Sequence, residues 1–295
     1  MAQKQFGSAD STGRKLDVIG EYLAMYCRAL GGTSLKTVYI DGFAGSGEIP
    51  LTDHKDELFD EDVTTVIAGS ADRALHVQPS FSRYVFIDKR KKCIDTLQKK
   101  FSDIEANHDI NYQVGDANTH IRKICQNEQW RSQRGVVLLD PFGNQVEWRT
   151  IEAIANTKAL DLWYLFPAGL GVFRQISSDG QVHSTHEASI TKLFGTDEWK
   201  QAFLVPSGQA DLFGAPPPKE KRVTPESAAM FMIERLKSVF QGGVMEEMIP
   251  LGKHAYPSFY LLFAWGNPSK KATTLANRLS KAAVKATDRK HGRIN

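Results

Sequence analysis

Five short apolar runs constrain the fold of this chain more than any other feature. They lie at 38–41, 84–88, 110–116, 136–140 and 160–166. Between them, apolar residues recur at the three- and four-residue spacing of amphipathic helices. Strands that alternate with helices form a mostly parallel sheet that carries helices on both faces. The sequence therefore predicts an α/β fold.

Four of the five runs end at or just before an acid: Asp41, Asp88, Asp116 and Asp140. The carboxyl ends of parallel strands meet at one edge of a sheet, where α/β proteins bind ligands. Each acid taken alone has a second interpretation, because an aspartate at a strand end often caps the next helix. The convergence of four acids on one edge favours a ligand site.

The first run continues into a glycine loop, Asp41-Gly-Phe-Ala-Gly45-Ser-Gly47. Glycines let the backbone adopt positive φ and approach a ligand closely. An acid at the strand tip can hold a ribose or an ammonium group, although an ordinary turn is the alternative. The spacing is GxxGxG, not the GxGxxG of dinucleotide sites, and the chain has no GxxxxGK[ST] sequence. A nucleotide-dependent oxidoreductase is thus disfavoured.

The rest of the chain fits one domain spanning 1–295. A helix at 14–30 precedes the first strand, and a polar insertion with a short helix spans 176–222. An acidic insertion at 48–68 is predicted to be a surface loop, either a lid or a plain solvated segment. It separates the glycine loop from the next helix, so we expect the loop to lack a direct helix cradle. Two further strands, at 244–249 and 257–265, have no helix between them and are expected to be antiparallel neighbours, which gives a seven-stranded sheet.

Composition narrows the class of protein. Apolar residues make up 41% and charged residues 24%, as in soluble globular proteins. No apolar run is long enough to cross a bilayer, and no secretory signal is evident, which favours the cytoplasm. Three scattered cysteines (Cys27, Cys93 and Cys125) include no CxxC pair, and His183 and His186 lack a third ligand. No metal site is therefore predicted.

The segment 269–295 is strongly basic. It holds eight Lys and Arg residues against Asp288 alone, although the whole chain carries a net charge of only +3. Such a tail indicates nucleic acid or another acidic partner. A solvated helix face is the alternative.

The pattern of five alternating strands closed by an antiparallel pair resembles the Rossmann-like sheet of class I S-adenosylmethionine (SAM) methyltransferases. The glycine loop resembles their acid-x-F-x-G-x-G loop. This resemblance implies SAM as cofactor, with three groups of binding residues. The loop would meet the methionine part through Asp41, Phe43, Ala44, Gly45 and Gly47. The ribose would meet Asp88 and Lys89, and the adenine would meet Asp116 and Ala117.

The turn Asp140-Pro141-Phe142-Gly143 follows the fourth strand. It resembles the [D/N]-P-P-[Y/F] motif of enzymes that methylate amines, although the second proline is absent here. The resemblance implies that Asp140, Pro141 and Phe142 are catalytic, and a buried turn without catalysis is the alternative. Candidates for the substrate wall are Lys15, Trp148 and Arg174.

Across about 12–270 the chain resembles the three-Cys-motif partner proteins (TcmP). The likeness rests on 15–17, 39–47, 69–70, 86–89, 115–118, 139–143, 161–174, 193–199 and 260–264. It implies a methyltransferase-like fold that works with a three-cysteine-motif protein of the radical-SAM type. The methyl acceptor is a nucleic-acid base or another amine, a small molecule or a peptide. A non-catalytic SAM-binding accessory of that partner is the alternative function.

Overall fold

The computed structural model describes residues 9–53, 63–206, 219–252 and 256–294. The helices are α1 (Ala9–Leu30), α2 (Ser70–Leu75), α3 (Lys91–Phe101), α4 (Ala117–Asn127), α5 (Trp148–Asn156), α6 (Ser184–Phe194), α7 (Trp199–Phe203), α8 (Pro225–Val239) and α9 (Lys270–Lys290). The strands are β1 (Lys36–Asp41), β2 (Glu48–Asp53), β3 (Val63–Ala68), β4 (Arg83–Asp88), β5 (Ile110–Val114), β6 (Gln133–Leu139), β7 (Leu160–Phe166), β8 (Leu204–Pro206), β9 (Lys219–Lys221), β10 (Gly243–Val244), β11 (Ile249–Leu251) and β12 (Phe259–Trp265). A π-helical turn at Ala168–Val172 follows β7.

The main sheet has the order β10-β12-β7-β6-β1-β4-β5, and β11 also pairs with β12. Strands β5, β4, β1, β6 and β7 are parallel, whereas β12 is antiparallel to β7. The predicted α/β fold, with a mostly parallel sheet that ends in antiparallel strands, is confirmed. The fold is Rossmann-like, with β1 near the centre of the sheet.

One predicted strand, at 244–249, is divided in the structure. Its two ends form β10 and β11, and both pair with β12. The amide of Met245 still donates to the carbonyl of Phe263 at 2.9 Å, so pairing is lost only over the next few residues. The sheet therefore contains eight strands instead of the seven predicted.

Both faces of the sheet are buried. Along β1, Val38 and Ile40 pack into the core on one face, and Tyr39 packs into the core on the other. Helices α4 to α8 cover the first face, and α1, α2, α3 and α9 cover the second. Burial on two faces explains why the strands read as continuous apolar runs and not as alternating ones.

Aromatic packing holds α1 against the sheet. The ring of Tyr22 lies 5.4 Å from Trp163 and 4.9 Å from Phe263. Trp163 and Phe263 in turn pack with their rings 4.5 Å apart. These side chains are fully buried, and each contributes on the order of 2 kcal/mol through the hydrophobic effect.

Ion pairs join α1 to α9. Arg14 lies 2.7 Å from Asp288, and Asp17 lies 3.0 Å from Lys290 and 2.9 Å from His291. The basic tail is therefore a regular helix packed on the body of the protein, and its last turn is fastened to the first helix.

The acidic insertion differs from the prediction. Its ends form the antiparallel strands β2 and β3, with Glu48 opposite Ala68 and Asp53 opposite Val63. The run Val-Thr-Thr-Val-Ile of β3 is rich in β-branched residues, which favour a strand. The prediction of a loop is wrong for these two strands, and residues 54–62 lie outside the described residues.

The second insertion contains α6, α7 and the short antiparallel pair β8–β9. Residues 207–218 of this insertion, which include Pro216, Pro217 and Pro218, lie outside the described residues. Among the helices of the described chain, none is long and apolar enough to cross a bilayer.

The buried acid Asp161 makes the stability of the fold depend on pH. Its carboxyl accepts a 2.7 Å hydrogen bond from the hydroxyl of Tyr22, and burial raises its pKa to about 7. The folded-state pKa is above the unfolded one, near 3.9. The stability due to protonated Asp161 is thus fully present below about pH 4 and is lost as the pH rises through about 7.

We expect Asp161→Asn to be more stable than the wild type at pH 8 by about 1–4 kcal/mol, since one pKa unit corresponds to about 1.4 kcal/mol. Near pH 4 the two proteins should agree closely, because both carry a neutral side chain. Urea unfolding at several pH values measures this. Asp103→Asn, at an exposed aspartate, is the control and should follow the wild type. A parallel response of the two variants would contradict the assignment.

Candidate functional site

Asp41 supports the glycine loop from beneath. Its side chain is fully buried and accepts hydrogen bonds from the Ser70 hydroxyl at 2.6 Å, the Phe43 amide at 3.0 Å and the Tyr39 hydroxyl at 3.3 Å. Burial raises its pKa to about 6, although the bonds from Ser70 and Phe43 act in the opposite direction. The acid that was predicted to touch a ligand is thus engaged by the protein itself and orders the loop.

The loop is fixed to its neighbours by backbone bonds. The amide of Ala44 donates to Ile87 at 2.9 Å, and the amide of Gly69 donates to Gly47 at 3.0 Å. The second bond brings the start of α2 to the end of the loop, because the β2–β3 hairpin leaves and returns at the same place. Helix α2 thus begins beside the loop, although the acidic insertion separates the two in the sequence.

Open space lies above one glycine of the loop. At Gly45, where φ is +63°, an added Cβ would meet no atom within 4 Å. At Gly47, where φ is +78°, the same atom would lie 2.6 Å from the Leu97 side chain. One side of the loop thus packs against α3, and the other faces a free volume.

Asp88 lies at the end of β4, beside the loop. One carboxylate oxygen accepts a hydrogen bond from the backbone amide of Gly45 at 3.1 Å, and the other accepts one from the backbone amide of Arg90 at 2.8 Å. The Arg90 guanidinium adds an ion pair at 3.2 Å, which sequence analysis did not predict. The pKa of Arg90 is raised by this bond to Asp88. The neighbouring Lys89 is exposed.

The third strand-end acid, Asp116, caps α4. Its carboxylate accepts hydrogen bonds from the backbone amide and the hydroxyl of Thr119, both at 2.9 Å. It also accepts one from the side-chain amide of Asn118 at 3.3 Å. Burial opposes its ionisation, but these hydrogen bonds outweigh burial and lower the pKa. Asp116 is nevertheless exposed, and Ala117 beside it is buried. Helix capping and ligand binding are therefore compatible here.

Asp140 forms a partly buried ion pair with a residue from the first helix. The ammonium of Lys15 contacts one carboxylate oxygen of Asp140, and Lys15 is only 6% exposed. Within the described residues Lys15 makes no other side-chain bond. The pair brings the start of α1 to the carboxyl end of β6, across a sequence separation of 125 residues.

The turn after Asp140 is rigid and presents an aromatic ring. Pro141 is buried, and the amide of Phe142 donates to the Gln145 side chain at 2.8 Å. Gly143 follows with φ of +94°. Phe142 is 45% exposed, so its side chain is accessible to a ligand.

The other two candidates for the substrate wall lie in different surroundings. Arg174 is exposed just after the π-helical turn, and no described residue forms an ion pair with it. Trp148 is buried in the core, where its ring nitrogen donates to Glu152 at 2.8 Å and Arg235 covers its ring at 4.5 Å. This position gives Trp148 a packing role.

Sequence analysis missed an aromatic group at the same edge. Tyr256 stacks on Phe173 with ring centroids 5.8 Å apart and is 64% exposed. The ammonium of Lys221 lies 3.5 Å from the centroid of the Phe173 ring and donates to the Phe173 carbonyl at 2.6 Å. Partial burial lowers the pKa of Lys221. No sequence motif marks Tyr256, because it precedes β12 in an irregular segment.

A cavity of about 390 Å³ lies elsewhere, between α4 and α5, and its lining includes Arg122, Trp130 and Arg149. It contains none of the strand-end acids. The described residues also contain no group of His, Cys, Asp and Glu that could hold a metal ion. The strand-end acids thus lie at the carboxyl edge of the sheet, away from this cavity.

No family model matches the chain. No curated protein is significantly similar to it. Among solved structures, LPL1258 of Legionella pneumophila is 11% identical over 94% of this chain and 92% of its own, with a TM-score of 0.49. The N-terminal domain of EvdMO1, solved with SAH and D-fucose, is 10% identical over 84% and 82%, with a TM-score of 0.40. A candidate SAM-dependent methyltransferase of Methanococcus maripaludis is 14% identical over 92% and 98%, with a TM-score of 0.37.

The two loop glycines should respond differently to substitution. Gly45→Ala is expected to cost about 1–2 kcal/mol, since it forces an L-residue into the left-handed region. Gly47→Ala should cost about 1–3 kcal/mol more, because its Cβ also collides with Leu97. Thermal unfolding measures both, with Gly32→Ala, at an open site, as control. Equal losses at 45 and 47 would contradict the packing described.

Proposed function

We propose that this chain is a SAM-dependent methyltransferase that acts on an amine. The observation that carries the proposal is the hydrogen bond from the Gly45 amide of the glycine loop to Asp88. Strand β1 has β4 on one side and β6 on the other, so the crevice at its end is the switch point where such sheets bind ligands. The Gly45–Asp88 bond joins the loop after β1 to the end of β4, next to this crevice.

The residues around the Gly45–Asp88 hydrogen bond fit SAM. A ribose offers two hydroxyl donors, and Asp88 is an acceptor-only group. Its register partner Val114 is 46% exposed, which gives an adenine ring an apolar surface to rest on. Asp116, exposed beyond Val114, is placed to accept an exocyclic amine. The methionine part would occupy the free volume above Gly45. When bound, SAM supplies an activated methyl group.

The Asp140 turn then orients the acceptor. Methyl transfer is an in-line displacement, so its rate depends on alignment of the attacking nitrogen and on removal of a proton. Lys15 engages one oxygen of Asp140, and the other oxygen has no partner among the described residues. That oxygen would accept a hydrogen bond from the amine and would take up the proton that the amine loses on methylation. The Phe142 ring would stack on the acceptor. Lys15 acts here as a positioning residue.

We also propose that the chain works with a three-cysteine-motif protein, as its resemblance to the three-Cys-motif partner proteins implies. Most motifs that carry the resemblance lie at one edge of the sheet: residues 15–17, 39–47, 86–89, 115–118 and 139–143. Concentration of the matching residues around the proposed site supports a shared function. The alternative is a non-catalytic accessory that binds SAM.

The ribose assignment predicts that Asp88→Asn weakens SAM binding at least tenfold, because a charge-assisted pair of hydrogen bonds contributes about 1.5–3 kcal/mol. The amide oxygen of the variant can still accept the Gly45 amide, so the loop should keep its shape. Isothermal titration calorimetry measures the affinity. Asp95→Asn, at an exposed acid on α3, is the control. Equal affinity of Asp88→Asn and the wild type would contradict the assignment.

The positioning role predicts that Lys15→Met lowers methyl transfer at least tenfold and changes SAM affinity less than threefold. Transfer is followed from labelled SAM into RNA, DNA, peptide and small-molecule fractions of a cell extract. Lys123→Met, at an exposed lysine on α4, is the control. The double variant Lys15→Met/Asp140→Asn removes both charges, and its melting temperature separates misfolding from lost positioning. If the wild type bound SAM but labelled no fraction, the accessory function would replace the enzymatic one.

A further inference from the structure

Helix α9 carries a basic stripe along its exposed face. The stripe consists of Lys271, Arg278, Lys281, Lys285 and Arg289, all exposed. Their spacing of seven, three, four and four residues places them on one side of the helix. With a rise of 1.5 Å per residue, the stripe is about 27 Å long.

The opposite side of α9 belongs to the core. Ala276, Leu279, Ala283 and Val284 are buried against the sheet. The stripe is therefore held in a fixed orientation by packing. Its charges are also poorly balanced, because the one acid of the helix, Asp288, is bound to Arg14. These five cations form no ion pair with any acid in the described part of the chain. A row of fixed cations of this kind fits a polyanion.

The C-terminal end of the stripe lies at the same edge of the sheet as the proposed site. Tyr260 pairs with Phe166, so β12 begins at the carboxyl edge of the sheet and runs away from it. Helix α9 then returns toward that edge. Its last turn contacts Asp17 of α1, two residues after Lys15, which holds Asp140. One end of the stripe thus lies next to α1, the helix that supplies Lys15 to the proposed site, at the same edge of the sheet.

Exposed aromatic rings lie at the same edge. Phe142 follows β6, and Tyr256 precedes β12 on its stack with Phe173. Arg174 extends from the neighbouring turn. Aromatic rings and guanidinium groups are the surfaces on which unpaired bases stack. A small acceptor would not need a 27 Å row of cations.

We propose that the methyl acceptor is a base of a single-stranded nucleic acid whose phosphates lie along the α9 stripe. The target base reaches the Asp140 turn and stacks on Phe142. This inference rests on the proposed function and gives its substrate class. Phosphate contacts position the strand, and the turn holds the amine that is methylated.

The test compares two triple variants. Arg278→Gln/Lys281→Gln/Lys285→Gln removes three charges of the stripe. Lys92→Gln/Lys99→Gln/Lys123→Gln removes three exposed charges from α3 and α4 and is the matched control. Fluorescence anisotropy measures binding of labelled 20-nucleotide single-stranded DNA, single-stranded RNA and a 20-base-pair duplex at 50–200 mM NaCl. Calorimetry measures SAM binding by each protein.

We expect the wild type to bind at least one single strand more tightly than the duplex, and the two single strands distinguish DNA from RNA. The stripe variant should bind at least tenfold more weakly at 100 mM NaCl. Its slope of log affinity against log salt should fall by about 2, since each phosphate contact contributes about 0.7 for single strands. The control variant should match the wild type, and all three proteins should bind SAM equally.

The inference is overturned if the wild type binds no single strand at 50 mM NaCl, if it prefers the duplex, or if both triple variants lose equal affinity. It is also overturned if labelled methyl groups enter only peptide or small molecules. In each of these cases intact SAM binding leaves the proposed function standing. Suppose that none of the proteins binds SAM and that only the stripe variant loses affinity for nucleic acid. The proposed function then fails, and the assignment of the base as methyl acceptor fails with it.

Discussion

Burial of β1 on all sides is the constraint on which the rest of the structure depends. The strand has a parallel neighbour on each edge and a hydrophobic layer on each face. Acidic side chains are poorly tolerated along such a strand, so the first acid marks its end. Asp41 is that residue, and it remains in the interior because three donors satisfy its carboxylate. The glycine loop begins where the apolar run stops, and the crevice at the sheet edge follows from that position.

This constraint explains which parts of the fold could be predicted from the sequence. Central strands such as β1, β4 and β6 are buried on both faces, so their apolar runs and terminal acids can be recognised in the amino-acid sequence. The β2–β3 hairpin was missed because its strands flank an acidic segment whose charge suggests a solvated loop. The division between β10 and β11 was missed because both pair with one long partner, β12, and pairing leaves no pattern in the sequence.

The candidate site was predictable only where its residues lie next to strand ends. Asp88 and Asp140 could be found in this way. The partners that define their geometry could not, because Lys15 reaches Asp140 across a sequence separation of 125 residues. Arg90 covers Asp88 from a position that carries no recognisable motif, and Tyr256 reaches the edge only through the return of the chain to β12. Tertiary packing, which a single sequence does not report, supplies these contacts.

The bond between α1 and α9 also bears on the order in which the protein is assembled. Arg14 and Asp288 are 274 residues apart, yet they form an ion pair, and Asp17 is held by the last turn of α9. During synthesis the first helix emerges long before the last one exists. Lys15 therefore gains its full support only when α9 is in place. An incompletely synthesised chain would carry the glycine loop and the strand-end acids but not a firmly anchored α1, so the Asp140 turn would gain its final geometry last.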